Sequence, residues 1–239
     1  MERLDESEGL GPLAEDLATT SLALARSFAA GATMWCAAPE WPPHAQHVAV
    51  EFVHPVIMGK RALPAAIVEG RDLIGGLRAL SRPGDILVAV ATGAEASVVS
   101  AMLRARAWGL TTVWIGAGTR PEAGSADHVL WLESDLAMAA YGGRFVLMYH
   151  LLWELTHVCF EHPGLLEPEP ECTDEVCITC SDEGRLAEVV VGGAPGSVQV
   201  RTARGLESID TTLIGDVRAG ELLLVHAGSA ITLVEGSSA

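Results

Sequence analysis

Apolar residues recur at helical spacing over residues 12–30, where Leu13, Leu17, Leu22, Leu24 and Phe28 predict an amphipathic helix. The apolar run from Ala32 to Ala38 suits a buried strand, and the proline-rich piece Pro39 to Pro43 breaks it. Ala45 to Val53 reads as a second helix and Ala65 to Val68 as a second strand. The clearest unit is GDILVAVATGAEASVVSAMLRARAWGLTTVWIGAG, residues 84–118. It predicts a strand from Ile86 to Val90, a small-residue loop from Ala91 to Ala96, a helix from Ser97 to Trp108 and a strand from Thr112 to Ile115. A tight loop between a fully apolar strand and a helix is the mark of a βαβ unit, and such units build parallel sheets. His128 to Leu132 adds one more strand, and Arg144 to His157 a strongly apolar helix.

The pattern changes after Glu161. The stretch HPGLLEPEPECTDE holds three prolines and many acids, which cannot pack a core. From Leu186 the periodicity falls to two, in the short segments AEVVV, SVQVRT, ESIDTTLI and ELLLVHAG separated by glycine turns. This predicts a small β-barrel or sandwich. The expected organisation is an α/β domain over residues 1–160, an acidic linker over 161–175 and a β domain over 176–239. With 239 residues, of which 49% are hydrophobic, the chain can bury cores of this size.

Charge narrows the function. The net charge is −16, from 31 acids and 15 bases, with eight acids and no base between Glu161 and Gly184. A nucleic-acid backbone or an anionic membrane surface calls for clustered Lys and Arg, so neither is expected as a partner. No long apolar stretch predicts a transmembrane helix, and the acidic N-terminus is unlike a secretory signal. Five cysteines, an odd number with Cys36 and Cys159 in apolar surroundings, fit reduced thiols and a cytoplasmic location.

Candidate chemistry in the first domain starts at AQHVAVEF, where His47 and Glu51 lie four residues apart and so on one helix face. Such a pair can hold zinc or transfer protons, and it can equally be a plain surface pair. AQHVAVEF followed by RALPA, together with GDILVAVATGAEASVV and HLLWEL, resembles the sedoheptulose-7-phosphate isomerase branch of the sugar isomerase (SIS) family over about residues 12–160. The resemblance implies a doubly wound parallel sheet flanked by helices. It also implies an active site in which Glu51 and His150 shuttle protons during aldose–ketose isomerisation, and in which His47, Glu51 and His150 can hold zinc. A fourth ligand in metal-binding members is a glutamine, where this chain has Gly142. The phosphate loops depart further: GNGGSA is replaced by APEWPP, Ala38 to Pro43, and STSGNS by ATGAEA, Ala91 to Ala96. Prolines remove backbone donors, and Thr92 and Ser97 are the hydroxyls left for binding a ligand.

In the later part, Cys172, Cys177 and Cys180 fall in the acidic stretch. On spacing alone they suit either a loose linker or a zinc site lacking a second C-x2-C pair. VCITCSDEGRLAEVVVGG and ESIDTTLIGDVRAGELLLVHAGSAI resemble the HypC/HupF hydrogenase-assembly chaperones over about residues 176–234. That resemblance implies a small OB-like β-barrel. It implies an iron fragment with cyanide and carbonyl ligands, held by Cys177 with His226, and with Cys180 as the competing thiol. Together the two resemblances lead to the expectation of a [NiFe]-hydrogenase maturation protein. Its partners would be the hydrogenase large subunit precursor and a maturation scaffold protein, and the SIS-like domain would form a dimer or tetramer. The alternative is an active sugar-phosphate isomerase, acting on sedoheptulose 7-phosphate, with an appended β domain.

Overall fold

The computed structural model describes residues 10–55, 57, 59–68, 70, 72–133, 143–167 and 184–235. The chain divides into two compact units, one made of Met1–Met102 with Thr111–Glu167 and the other of Leu103–Leu110 with Pro168–Ala239.

In the first unit, helix α1 (Ala14–Ala29) leads into strand β1 (Met34–Ala37) and helix α2 (Pro42–Val53). Then come β2 (Ala65–Ile67), α3 (Leu73–Leu80), β3 (Ile86–Val90) and α4 (Ala96–Ala107), the last of which runs on past Met102. Strands β4 (Thr111–Ala117) and β5 (His128–Leu132) and helix α5 (Arg144–Glu161) complete it. The five strands pair in the order β2-β1-β3-β4-β5, every pair parallel. One face carries Met34, Cys36, Ile86, Val88, Val113, Ile115 and Leu130 into a core shared with Leu17, Leu24 and Phe28 of α1, Phe52 of α2 and Tyr149 and Leu152 of α5. The alternate residues Leu87, Ala89 and Trp114 are equally buried. A sheet buried on both faces explains why its strands read as unbroken apolar runs. Asp85 ties β3 to β1, because its carboxylate accepts from the Thr33 backbone N–H and from Trp35 Nε1, both at 2.9 Å.

The expected α/β architecture is therefore present, with two refinements. Pro42 starts α2, at the helix end where a missing N–H costs nothing. Helix α3 went unforeseen, because the pair Gly75–Gly76 masks its periodicity. Asp72 compensates by accepting from the Gly75 N–H at 2.7 Å.

In the second unit the strands are β6 (Arg185–Val191), β7 (Ser197–Thr202), β8 (Gly205–Asp210), β9 (Leu222–His226) and β10 (Ser229–Glu235). Four match the four predicted segments. They join in the order β10-β8-β7-β6-β9 around Val189, Val198, Val200, Ile209, Leu223 and Val225. All pairings are antiparallel except β8 with β10, which meet in parallel through the single pair Ser229–Asp210. Because β9 also pairs with β10, the five strands close into a small barrel, as expected for this part of the chain, with one parallel pairing among them. Also in this unit, Arg104 and Trp108 both meet Glu188: the guanidinium Nε lies 3.6 Å from the carboxylate and the indole N–H donates at 2.9 Å. The three residues are 3–4% exposed.

Candidate active site

The sheet order places a topological switch point between β1 and β3, because the chain leaves β1 toward one edge and β3 toward the other. In open α/β sheets ligands bind in the crevice outside the carboxyl ends of such strands. The loop after β1 runs directly into α2, so that helix is anchored at the crevice. Its apolar side, Ala45, Val48, Ala49 and Phe52, is buried, while His47 and Glu51 share another face. Helix α5 buries Phe145, Met148, Tyr149 and Leu152 and sets His150 at its margin.

These two helices bring His47, Glu51 and His150 together, with one ligand atom of each within 4.8 Å of the others. The two Nε2 atoms stand 3.1 Å apart. Glu51 Oε2 lies 3.5 Å from His150 Nε2 and 3.9 Å from His47 Nε2. The imidazoles are partly open, at 42% and 39% side-chain exposure, while the carboxylate is 14% exposed. Donors about 2.0–2.1 Å from one zinc ion in a tetrahedron stand about 3.3–3.4 Å apart. Two imidazole nitrogens and one carboxylate oxygen at 3.1–3.9 Å fit that demand, so the residues present suit a divalent metal with an open side.

Two residues absent from the predicted site complete it. Tyr149 OH lies 2.9 Å from His47 Nδ1 and 3.4 Å from His44 Nδ1. Burial, and then the Glu51 carboxylate, push the Tyr149 phenol up from its ordinary value, so it stays protonated. When Nδ1–H of His47 donates to the phenol oxygen, Nε2 presents its lone pair to the cluster. Phe145 packs against His44 and Trp41, with ring centres 5.5 and 5.6 Å apart. The clue in the sequence was adjacency: Tyr149 precedes His150, and His44 lies one helical turn before His47.

The other predicted residues divide. Thr92 and Ser97 sit in and just after the loop that follows β3. The Thr92 backbone N–H donates to Glu40 Oε2 at 2.7 Å, and Ser97 Oγ donates to Glu95 Oε1 at 2.6 Å. His226 closes β9 in the second unit. Cys172, Cys177, Cys180 and Gly142 lie outside the described residues, so the proposed Cys177–His226 and Cys180 iron site has no geometry to report. Cys36 and Cys159 are buried free thiols, and burial raises both above the usual thiol value.

No family model matches the chain. The phosphoheptose isomerase of Nitratidesulfovibrio vulgaris is 31% identical over 174 residues, covering 65% of this chain and 83% of that protein. The chain belongs to the phosphoheptose isomerase family. Solved structures agree on the fold. The Francisella tularensis phosphoheptose isomerase superposes with a TM-score of 0.57 at 18% identity, over 64% of this chain and 90% of that one. The Neisseria gonorrhoeae enzyme gives 0.51 at 17% identity, over 63% and 89%. These relatives overturn the expected hydrogenase maturation role: they are isomerases, and the resemblance of residues 176–234 to HypC/HupF chaperones has no match beside it. Among the described residues no helix is long and apolar enough to cross a membrane.

Proposed function

We propose that the protein is an aldose–ketose isomerase acting on the open-chain carbonyl of a sugar. The observation that supports it most is the meeting of the Glu51 carboxylate with the His47 and His150 imidazoles on two packed helices. Isomerisation moves a hydrogen between two adjacent carbons, so it needs a base beside the carbonyl and a second group to move a proton between the oxygens. Glu51 Oε2 faces both imidazoles, which leaves Oε1 for the carbon-bound proton. Glu51 takes the proton from the carbon next to the carbonyl, giving an enediol, and returns it to the former carbonyl carbon. His150, on the open side, carries the proton between the two oxygens, so no atom is gained or lost.

His47, Glu51 and His150 are the residues that would hold a divalent metal, whose charge polarises the substrate carbonyl. His47, held by Tyr149, keeps the donors in register. The chain spans most of the length of its curated relative, and the relatives' name supports the same reaction class. The test is interconversion of a ketose and its aldose by the zinc-loaded protein. Glu51→Gln keeps the shape and removes the base, and it is expected to lower the rate about 10²–10⁴-fold. Turnover unchanged in Glu51→Gln would remove this reading.

A further inference from the structure

Two carboxylates sit where an anion would bind. At the switch-point crevice between β1 and β3, the backbone donors of the β3–α4 loop and the first turn of α4 make an anion cradle in a parallel α/β sheet. Here the chain's own carboxylates take part of that cradle. Glu40, on the β1–α2 loop, accepts the Thr92 N–H at 2.7 Å across 52 residues of sequence. Glu95 accepts both the Ser97 hydroxyl at 2.6 Å and the Ser97 N–H at 3.3 Å. Gly93 packs closely against the next loop, where a Cβ would meet the Thr119 carbonyl oxygen at 2.4 Å. Pro39, Pro42 and Pro43 offer no N–H from the facing loop.

The space beside these acids is apolar. A cavity of about 470 Å³ is bounded by Ala38, Pro39, Pro42, Ile67 and Leu73, with Ser97 at its edge. Among the described residues that line it none is Lys or Arg. A phosphate entering there would find the Thr92 and Ser97 donors already taken by carboxylates and no cation among the described lining residues.

We infer that this crevice excludes phosphate, and that the sugar isomerised at the His47–Glu51–His150 cluster carries an uncharged far end, a hydroxyl or a deoxy carbon, in place of a phosphate ester. The inference rests on the isomerase reading for the identity of the ligand. The exclusion of phosphate rests on the loop geometry alone. Glu40 and Glu95 are then specificity-determining residues that stand in for the anion and set the chain apart from the activity its relatives are named for.

The experiment has two arms. In the first, binding of inorganic phosphate is measured by calorimetry and thermal shift on the full chain, wild type against Glu40→Ala, Glu95→Ala and the double variant. Wild type is expected to show no phosphate-dependent shift at millimolar concentrations. The variants are expected to gain affinity at least tenfold, and the single ones keep the test valid if the double variant does not fold. In the second arm, zinc-loaded wild type is offered free ketoses and aldoses beside their terminal phosphate esters, sedoheptulose 7-phosphate included. The free sugars are expected to turn over with kcat/KM at least tenfold above the esters. Wild type that binds phosphate below a millimolar, or that prefers the esters, overturns the inference. If no sugar turns over while the phosphate arm behaves as expected, the isomerase reading falls and the exclusion of phosphate stands.

Discussion

Tyr149 is fully buried, yet its hydroxyl has one short contact that matters, 2.9 Å to His47 Nδ1. An imidazole that binds a metal through one nitrogen is oriented by what its other nitrogen meets, and losing that partner typically costs 10–100-fold in metal affinity. Tyr149→Phe is therefore expected to weaken zinc binding by about that factor, read by competition with a chromogenic chelator, with little loss of fold because only one oxygen is removed. Unchanged affinity would show that His47 needs no such support. At this scale the sequence revealed His47 and Glu51, because an i,i+4 pair is local and its shared face follows from helix geometry. It hid Tyr149 and Glu40, whose roles come from partners 102 and 52 residues away.

Elements show the same division. Strands β1, β3, β4 and β5 were legible as apolar runs because both faces of the sheet are buried. The α3 segment was not, since two glycines lower its helical propensity and a single Asp72 cap restores it. On β6, Glu188 is buried against Arg104 and Trp108, and Arg104 also donates to the Gly220 carbonyl at 2.9 Å. Removing one partner of a buried pair leaves the other charge uncompensated, at a cost of about 3–5 kcal/mol. Glu188→Ala is expected to lower stability by that amount in urea unfolding, and a loss below about 1 kcal/mol would show that the pair is hydrated in solution. Across β6 and β8, the Arg185 guanidinium donates to Glu207 at 2.8 Å and, with Thr202, holds its carboxyl below the usual carboxylate range. A depressed carboxyl stabilises the folded state above its unfolded value, near pH 4, and that contribution is lost as pH falls through the folded value. The melting-temperature gap between wild type and Arg185→Met is thus expected to be constant at neutral pH and to close below about pH 4. A gap that widens in acid would contradict the assignment.

Across the whole molecule, the break in composition at Glu161 suggests two domains laid end to end, but the compact units are interleaved. Leu103–Leu110 groups with the residues after Glu167, because Arg104 and Trp108 find their buried partners on residues far along the chain. Such a pairing leaves no local mark in a helix that otherwise looks like the crossover of a βαβ unit. A chain ending at Glu167 is accordingly expected to expose Trp108, seen as a red shift in tryptophan emission relative to the full chain. The net charge of −16 carried only the expectation that nucleic acid and anionic membranes are not partners, and it told nothing of the carboxylates at the switch point. Their meaning came from the hydrogen bonds they accept.

Proton transfer at carbon by Glu51 is the central step, and solvent exchange reads it directly. The zinc-loaded protein would be incubated in D2O with the panel of free and phosphorylated sugars and followed by proton NMR. Loss of the signal from hydrogen on the carbon next to the carbonyl, abolished in Glu51→Gln, is the predicted result. Retention of that hydrogen by the wild-type protein with every sugar, or exchange that persists in Glu51→Gln, would contradict it.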